Sequence, residues 1–328
     1  MDKKGPHTVK EIKNIGPGQQ IWGKFLVLDK TPKKTKDGKS MVYLKIGDLS
    51  GEIDAVVWDN CAIAGSTGVG TVIGLLGDTG LFNNHIQITA KRIKTLEDDP
   101  LPYLKKPPIS MEELTNRFNE LLQSVKDPYL HKLLDRIFTP EMKEKFFRAP
   151  AAKKIHHNYS GGLLEHTVAV AGLCLQASSL YQGLNPDLLV VGAILHDIGK
   201  VDEYTIKVTP EYTVAGRMMG HIVIGEELVG ARIKELRANG EDFPEELEWI
   251  LKHMILSHHG MLEYGSPVKP LLPEALLLHM ADNLDAKMFI FNNKIAEDEG
   301  EDQFFTNYDG FFDQHFFKYR YTNAAKDD

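Results

Sequence analysis

The stretch ILHDIGK at residues 194–200 sets a histidine beside an aspartate inside an apolar run. His196 and Asp197 follow LLVVGAIL near the expected end of a helix, where a carboxylate is costly unless paired or bound to a cation. One such dipeptide is most often a buried hydrogen bond. Further stretches change that reading. GGLLEHTVAV carries His166, MGHIVIG carries His221, MILSHHG carries His258 and His259, and LLHMADNLDAK carries Asp282. Each polar group interrupts an otherwise apolar helical face, and interruptions on separate helices predict one convergent site. Imidazole and carboxylate donors without thiolate suit a divalent transition metal and argue against a zinc knuckle. Asp197, with two carboxylate oxygens, could bridge two ions. Glu165 points off the ligand face, and His253 and His279 read as core residues.

These side chains need helices to hold them. Ser110 and Glu113 form a capping box. Asp127-Pro128 and Thr139-Pro140 each pair an N-cap with proline at the first helical position. Helical periodicity continues over about 162–180, 186–197, 216–237, 244–259 and 273–294, with no β-run among them. The first hundred residues read differently. QIWGKFLVLDK, SMVYLKIGDLSG, EIDAVVWD, TVIGLLGDTG and HIQITAKRIK are five short runs separated by Gly, Asp and Asn, as expected of a small closed barrel. EDDPLPYLKKPP, with four prolines, reads as the linker.

Composition bounds the partners. The chain has 328 residues, enough for two domains, and a net charge of −8. Residues 1–108 hold 16 Lys and Arg against 12 Asp and Glu, while the remainder holds 22 against 34. A mildly basic module thus precedes an acidic one. Between the first two strands, DKTPKKTKDGKS carries Lys33, Lys34, Lys36 and Lys39 among its five lysines, and the strands carry Trp22, Phe25, Tyr43 and Trp58. Basic loops with aromatic strand positions suit single-stranded nucleic acid, whose phosphates meet the charge and whose bases stack on the rings. Some of those rings must fill the small core. No window approaches 18 consecutive apolar residues, and the N-terminus lacks the apolar run of a signal peptide. Two distant cysteines, Cys61 and Cys174, fit a reducing compartment, so a cytoplasmic location is expected.

The order His166, His196–Asp197, Asp282 resembles the H…HD…D pattern of the HD superfamily of metal-dependent phosphohydrolases. With His221 and His258 added, the set resembles the members that hold two ions. That resemblance implies that these six residues ligate metal and that an activated water attacks phosphorus, so no side-chain nucleophile is needed. It also implies that Lys200 faces a phosphate oxygen. His259, and one of His156 and His157 (His157 preferred), are expected as substrate contacts. IWGKFLVLDK through GEIDAVVWD resembles the anticodon-binding type of OB-fold. Together with PAAKKIHHNYSGGLLEHT, LHDIGK and SHHGMLEYGSPVKP, the chain resembles the YhaM-type 3′–5′ exoribonucleases over nearly its whole length. SHHGMLEYGSPVKP is also similar to the HD-GYP cyclic-dinucleotide phosphodiesterases, with GSPVKP where their Gly-Tyr-Pro stands.

The expected architecture is an all-β five-stranded OB-fold barrel over 1–96, a linker over 97–109, an all-α HD-type domain over 110–300 and an aromatic tail over 301–328. The expected activity is a metal-dependent 3′–5′ exonuclease on single-stranded RNA, with DNA as a second strand type, releasing nucleoside monophosphates. Two rivals stand beside it: a phosphodiesterase or phosphatase for a small nucleotide, and a nucleic-acid-binding regulator that senses a nucleotide without turnover. Histidine-rich ligation favours manganese, then iron, cobalt or nickel, over magnesium. The tail, FFTNYDGFFDQHFFKYRYT, is expected to dock on the helical domain or to join subunits in a homo-oligomer.

Overall fold

The structure, a computed structural model, describes residues 5–35, 38–83, 85–104, 109–152, 159, 161–205, 210–296, 298, 300 and 302–319. The chain divides into two compact units, Met1–Pro108 with Thr205–Glu211, and Ile109–Tyr204 with Tyr212–Asp328.

The first unit is a closed barrel. Strands β1 (Gln20–Lys34), β2 (Ser40–Asp48), β3 (Gly51–Ala64), β4 (Val72–Phe82) and β5 (His85–Leu96) close in the order β1-β2-β3-β5-β4. All neighbouring pairs are antiparallel except β3 and β5. This is the OB-fold arrangement. Alternation does the local work: Ile21, Phe25 and Val27 on β1 face inward with Leu44, Ile46, Ile53, Ile73, Leu75, Ile88 and Ile93. Phe25 is therefore a core ring and is not available to bases, whereas Trp22 is 39% exposed.

A short helix, α1 (Val9–Ile15), precedes the barrel and was not expected. Thr8 and Glu11 form a capping box, and Val9 and Ile12 join the barrel core. The T-x-x-E spacing was the available signal. The segment expected as a linker also begins as part of this unit. Asp98 accepts from Lys24 Nζ at 2.9 Å and from the Tyr103 hydroxyl at 3.1 Å, and Leu101–Tyr103 forms a 3-10 turn. Proline spacing marks a boundary without showing which side the segment is fastened to.

The second unit is helical: α2 (Met111–Ser124), α3 (Pro128–Ile137), α4 (Pro140–Arg148), α5 (Gly162–Ser178), α6 (Pro186–Leu195), α7 (Lys200–Glu203), α8 (Val214–Ala238), α9 (Glu245–Ser257) and α10 (Pro273–Ala296). Side chains of Ser110, Asp127, Thr139, Asn185 and Thr213 cap α2, α3, α4, α6 and α8. Helix α6 is buried from Leu188 to Leu195, which makes it the axis of the core. Full burial of each Leu or Ile there stabilises by about 1.5–3 kcal/mol. Helix α5 is nearly as dry, with Leu163, Leu164, Val170 and Ala171 in the same cluster. A dry α5–α6 pair explains why the few polar groups on them must be satisfied by one another or by a ligand.

The aromatic tail docks within this unit. Phe316 is 2% exposed and its ring lies 4.1 Å from that of Phe291 on α10. Lys294 reaches Asp309 at 2.8 Å, and Lys318 reaches Asp298 at 2.8 Å.

Candidate metal centre

Six helices, α5 to α10, converge. His166 comes from the first turns of α5, and His196 caps the C-terminus of α6. Asp197 follows in the turn, and Lys200 opens α7. His221 lies in α8, His258 caps α9 with His259 next, and Asp282 lies on α10. His166, His196 and His258 are 0% exposed and Asp197 is 2% exposed.

Two features of the backbone let them meet. A Cβ on Gly199 would lie 2.1 Å from the His221 carbonyl oxygen, so only glycine lets α8 approach the HD turn this closely. Gly220, at φ 74° and ψ 162°, breaks α8 and starts a new helical turn at His221. Residue types alone show His221 among apolar neighbours, but not that a break aims it.

Asp197 is the centre of the geometry. Its Oδ2 lies 3.3 Å from His196 Nε2 and 3.5 Å from His166 Nε2. Its Oδ1 lies 3.3 Å from His221 Nε2 and 3.6 Å from His258 Nε2. Asp282 closes the first side, with Oδ1 3.1 Å from His166 Nε2 and 4.0 Å from His196 Nε2. One carboxylate thus separates two imidazole clusters: His166 and His196 on one side, His221, His258 and His259 on the other. In each cluster the candidate ligand atoms, with Asp197 counted in the first, lie within 4.8 Å of one another.

The outer nitrogens decide the tautomers. His196 Nδ1 donates to the Ala193 carbonyl at 2.8 Å, His258 Nδ1 to that of Ile255 at 2.7 Å, and His259 Nδ1 to that of Tyr264 at 2.9 Å. A carbonyl only accepts, so each Nδ1 carries the proton and each Nε2 keeps a lone pair. Those lone pairs point inward. The His196 lone pair faces His166 Nε2, 3.2 Å away. Asp197 Oδ1, His221 Nε2 and His258 Nε2 are buried without a hydrogen-bond partner among the described residues. Buried acceptors aimed at one another are what divalent cations satisfy, so the donor set fits such a group.

The charges agree. Burial pushes the Asp197 carboxyl up, but Lys200 and His196 outweigh it and hold it well below the usual carboxylate range. Asp282 is likewise lowered despite burial, chiefly by His166. Burial lowers His258, and burial with His258 beside it brings His259 down to about 4, so both are neutral donors at neutral pH. Burial lowers His166 too, but Asp282 and Asp285 push it up to about 10. Its Nδ1 is 2.7 Å from Asp285 Oδ2.

Residues 163–287 match the HD domain family. Over 276 residues the chain is 36% identical to the 3′–5′ exoribonuclease YhaM of Oceanobacillus iheyensis, covering 83% of this chain and 85% of that one. The chain belongs to the YhaM family of 3′–5′ exoribonucleases. Among solved structures it is similar to the second OB-fold domain of replication protein A from Methanococcus maripaludis, at 18% identity and a TM-score of 0.23, covering 28% of this chain and 96% of that one. It is also similar to a replication protein A heterotrimer bound to single-stranded DNA, at 18% identity and a TM-score of 0.25, covering 30% and 84%. The OB-fold assignment itself rests on the strand order.

Within this YhaM-family chain the expected site residues fall into place unevenly. His166, His196, Asp197, His221, His258 and Asp282 meet at one point. His259, expected at the substrate, stands with His221 and His258, its ring 4.4 Å from that of His258. Lys200, expected to face phosphate, is buried and ion-paired to Asp197 Oδ2 at 2.6 Å. His156, His157 and Lys36 lie outside the described residues. Lys33, Lys34 and Lys39 are exposed on the barrel, with Lys33 Nζ 4.4 Å above the Tyr43 ring. His279 donates to the His258 carbonyl at 2.9 Å, and His253 Nε2 accepts from the Leu271 N–H at 2.9 Å, both structural. Glu165 accepts from the Tyr159 hydroxyl. Two residues escaped the sequence reading: Asp285 behind His166, and Glu203 behind His221, at 3.3 Å from its Nδ1. Each lies three residues after a named site residue, Asp282 and Lys200, and helical spacing was the available signal.

Proposed function

We propose that the chain degrades single-stranded RNA from its 3′ end by metal-dependent hydrolysis, releasing nucleoside monophosphates. The activity class is that of its family, a metal-dependent phosphodiester hydrolase. One observation carries the two-ion reading: the buried Asp197 presents one oxygen to each of two imidazole clusters. His166, His196, Asp197 and Asp282 would hold one ion. The other oxygen of Asp197, with His221, His258 and His259, would hold a second. Nitrogen-rich ligation favours manganese, with iron, cobalt or nickel next.

When bound, such ions supply Lewis-acid polarisation of a phosphoryl oxygen and activation of water. The chain's own residues do the rest. Lys200 fixes the Asp197 carboxylate and carries positive charge to the phosphate side. His258 and His259 stay unprotonated at neutral pH, which keeps their donor atoms ready. On the barrel, exposed Lys33, Lys34 and Lys39, with Lys36, suit the phosphates, and the part-exposed Trp22, Tyr43 and Trp58 suit stacking with bases. Two cysteines without a disulfide fit a cytoplasmic setting. Among the described residues no helix is long and apolar enough to cross a membrane.

The test uses RNA labelled at either end, with Mn²⁺ and then with EDTA. The expected result is metal-dependent release of labelled mononucleotide from the 3′ end first. Hydrolysis confined to a mono- or dinucleotide would assign the site to a small nucleotide instead. Tight RNA binding with no turnover in any divalent ion would make the chain a regulator.

A further inference from the structure

We infer that Glu203 is the positioning residue of the second ion's pocket, through His221, as Asp285 is of the first through His166. The inference rests on the two-ion reading above.

The break at Gly220 creates the need. His221 begins a new helical turn, where an N–H takes its partner from outside the turn. Glu203 Oε1 accepts that N–H at 3.1 Å and also meets His221 Nδ1 at 3.3 Å. One carboxylate oxygen therefore caps the turn and orients the ring. A carboxylate only accepts, so Nδ1 carries the proton and Nε2 turns its lone pair toward Asp197 Oδ1, 3.3 Å away. The other two imidazoles of this pocket lean on main-chain carbonyls, those of Ile255 and Tyr264. Of the three, the orientation of His221 is the one that depends on a charged side chain.

Glu203 is placed for this task by packing. It is 5% exposed, one turn beyond Gly199, whose missing Cβ lets α7 and α8 touch backbone to backbone. Its own carbonyl accepts the Thr213 N–H at 2.9 Å, which ties the end of α7 to the start of α8. The first pocket repeats the arrangement with a different residue: His166 Nδ1 meets Asp285 Oδ2 at 2.7 Å. Each pocket thus owns one carboxylate–histidine pair, and such a pair raises the basicity of the ligand and holds its angle. The affinities of the two ions should be separable by mutation of residues that touch neither ion.

The experiment compares full-length wild type, Glu203→Ala, Glu203→Gln and Asp285→Ala. Each is stripped, equilibrated with buffered Mn²⁺, and its bound metal is counted. Wild type should hold two ions. Glu203→Ala should weaken one ion by about 10–100-fold and leave the other unchanged. Glu203→Gln, which keeps the acceptor oxygen, should weaken it less. Asp285→Ala should weaken the other ion. Nitrogen-15 NMR should show the Nδ1-protonated His221 tautomer lost in Glu203→Ala and kept in Glu203→Gln. Two ions at wild-type affinity in Glu203→Ala would overturn the inference while leaving the two-ion reading intact. Equal weakening of both ions, or loss of the fold in Glu203→Gln, would make Glu203 a general structural residue and overturn it as well. A single ion in wild type would remove the second pocket, and with it both readings.

Discussion

Replacing Asp197 by alanine should unfold the helical unit more readily, by an amount set by Lys200. The two side chains are 3% and 8% exposed and 2.6 Å apart. Truncating the carboxylate strands a buried ammonium, which costs about 3–5 kcal/mol. In a unit of this size each kcal/mol moves the midpoint by about 2–4 °C, so metal-free Asp197→Ala should melt about 6–20 °C below wild type. Adding Lys200→Met removes the stranded charge and should restore most of that loss, because an apolar side chain of similar volume then fills the space. Neither variant should hydrolyse RNA or hold two ions. The assay is calorimetry of chelator-treated protein at pH 7. The pH dependence has a definite sign. The folded carboxyl is held far below its unfolded value, so its contribution is present above about pH 4 and lost as pH falls toward the folded pKa. The gap between wild type and Asp197→Ala should stay level from pH 7 to about 5 and narrow only below about 4. A single variant costing under about 1 kcal/mol, or a double variant no more stable than the single, would refute this account of the centre.

His221→Ala or His258→Ala should each lower bound metal by one ion and spare the other, measured by metal counting; unchanged content with full activity would mean a mononuclear site. Glutamine at 33, 34, 36 and 39 should flatten the dependence of log affinity on log salt by about 0.7 per lost phosphate contact, read by RNA binding at graded ionic strength. Trp58→Ala should weaken RNA binding by about 1–3 kcal/mol with little change in barrel melting. Phe25→Ala should do the reverse and destabilise the barrel by about 3–5 kcal/mol, since its ring is wholly buried. Phe316→Ala should release the docked tail, seen as faster proteolysis within 302–319, because it removes the ring packed on Phe291.

Most of the secondary-structure elements are legible in the sequence. Alternation along β1 through β5 and capping at Ser110, Asp127, Thr139 and Asn185 are local, and local signals depend on a few neighbouring residues. The constellation was legible too, because polar residues on apolar helical faces are costly and so stand out. Such a pattern of interruptions, however, describes each helix alone. It separates His259, which follows His258 at the end of α9, from His253 and His279 in the core, but not a metal ligand from a substrate contact at His259.

Tertiary structure decided what each polar group meets. His166 and Asp285 are 119 positions apart in the chain and 2.7 Å apart in space. Their pairing depends on how α5 and α10 cross, which periodicity does not contain. The division of the imidazoles into two clusters about Asp197 depends on the backbone contact at Gly199 and the break at Gly220. The docking of the tail depends on Phe291 lying open to receive Phe316. Sequence determined which side chains had to be rescued from an apolar interior. Only the packing of helices distant along the chain determined which partner rescues each one, because a hydrogen bond is set by ångström distances and a sequence pattern is set by faces.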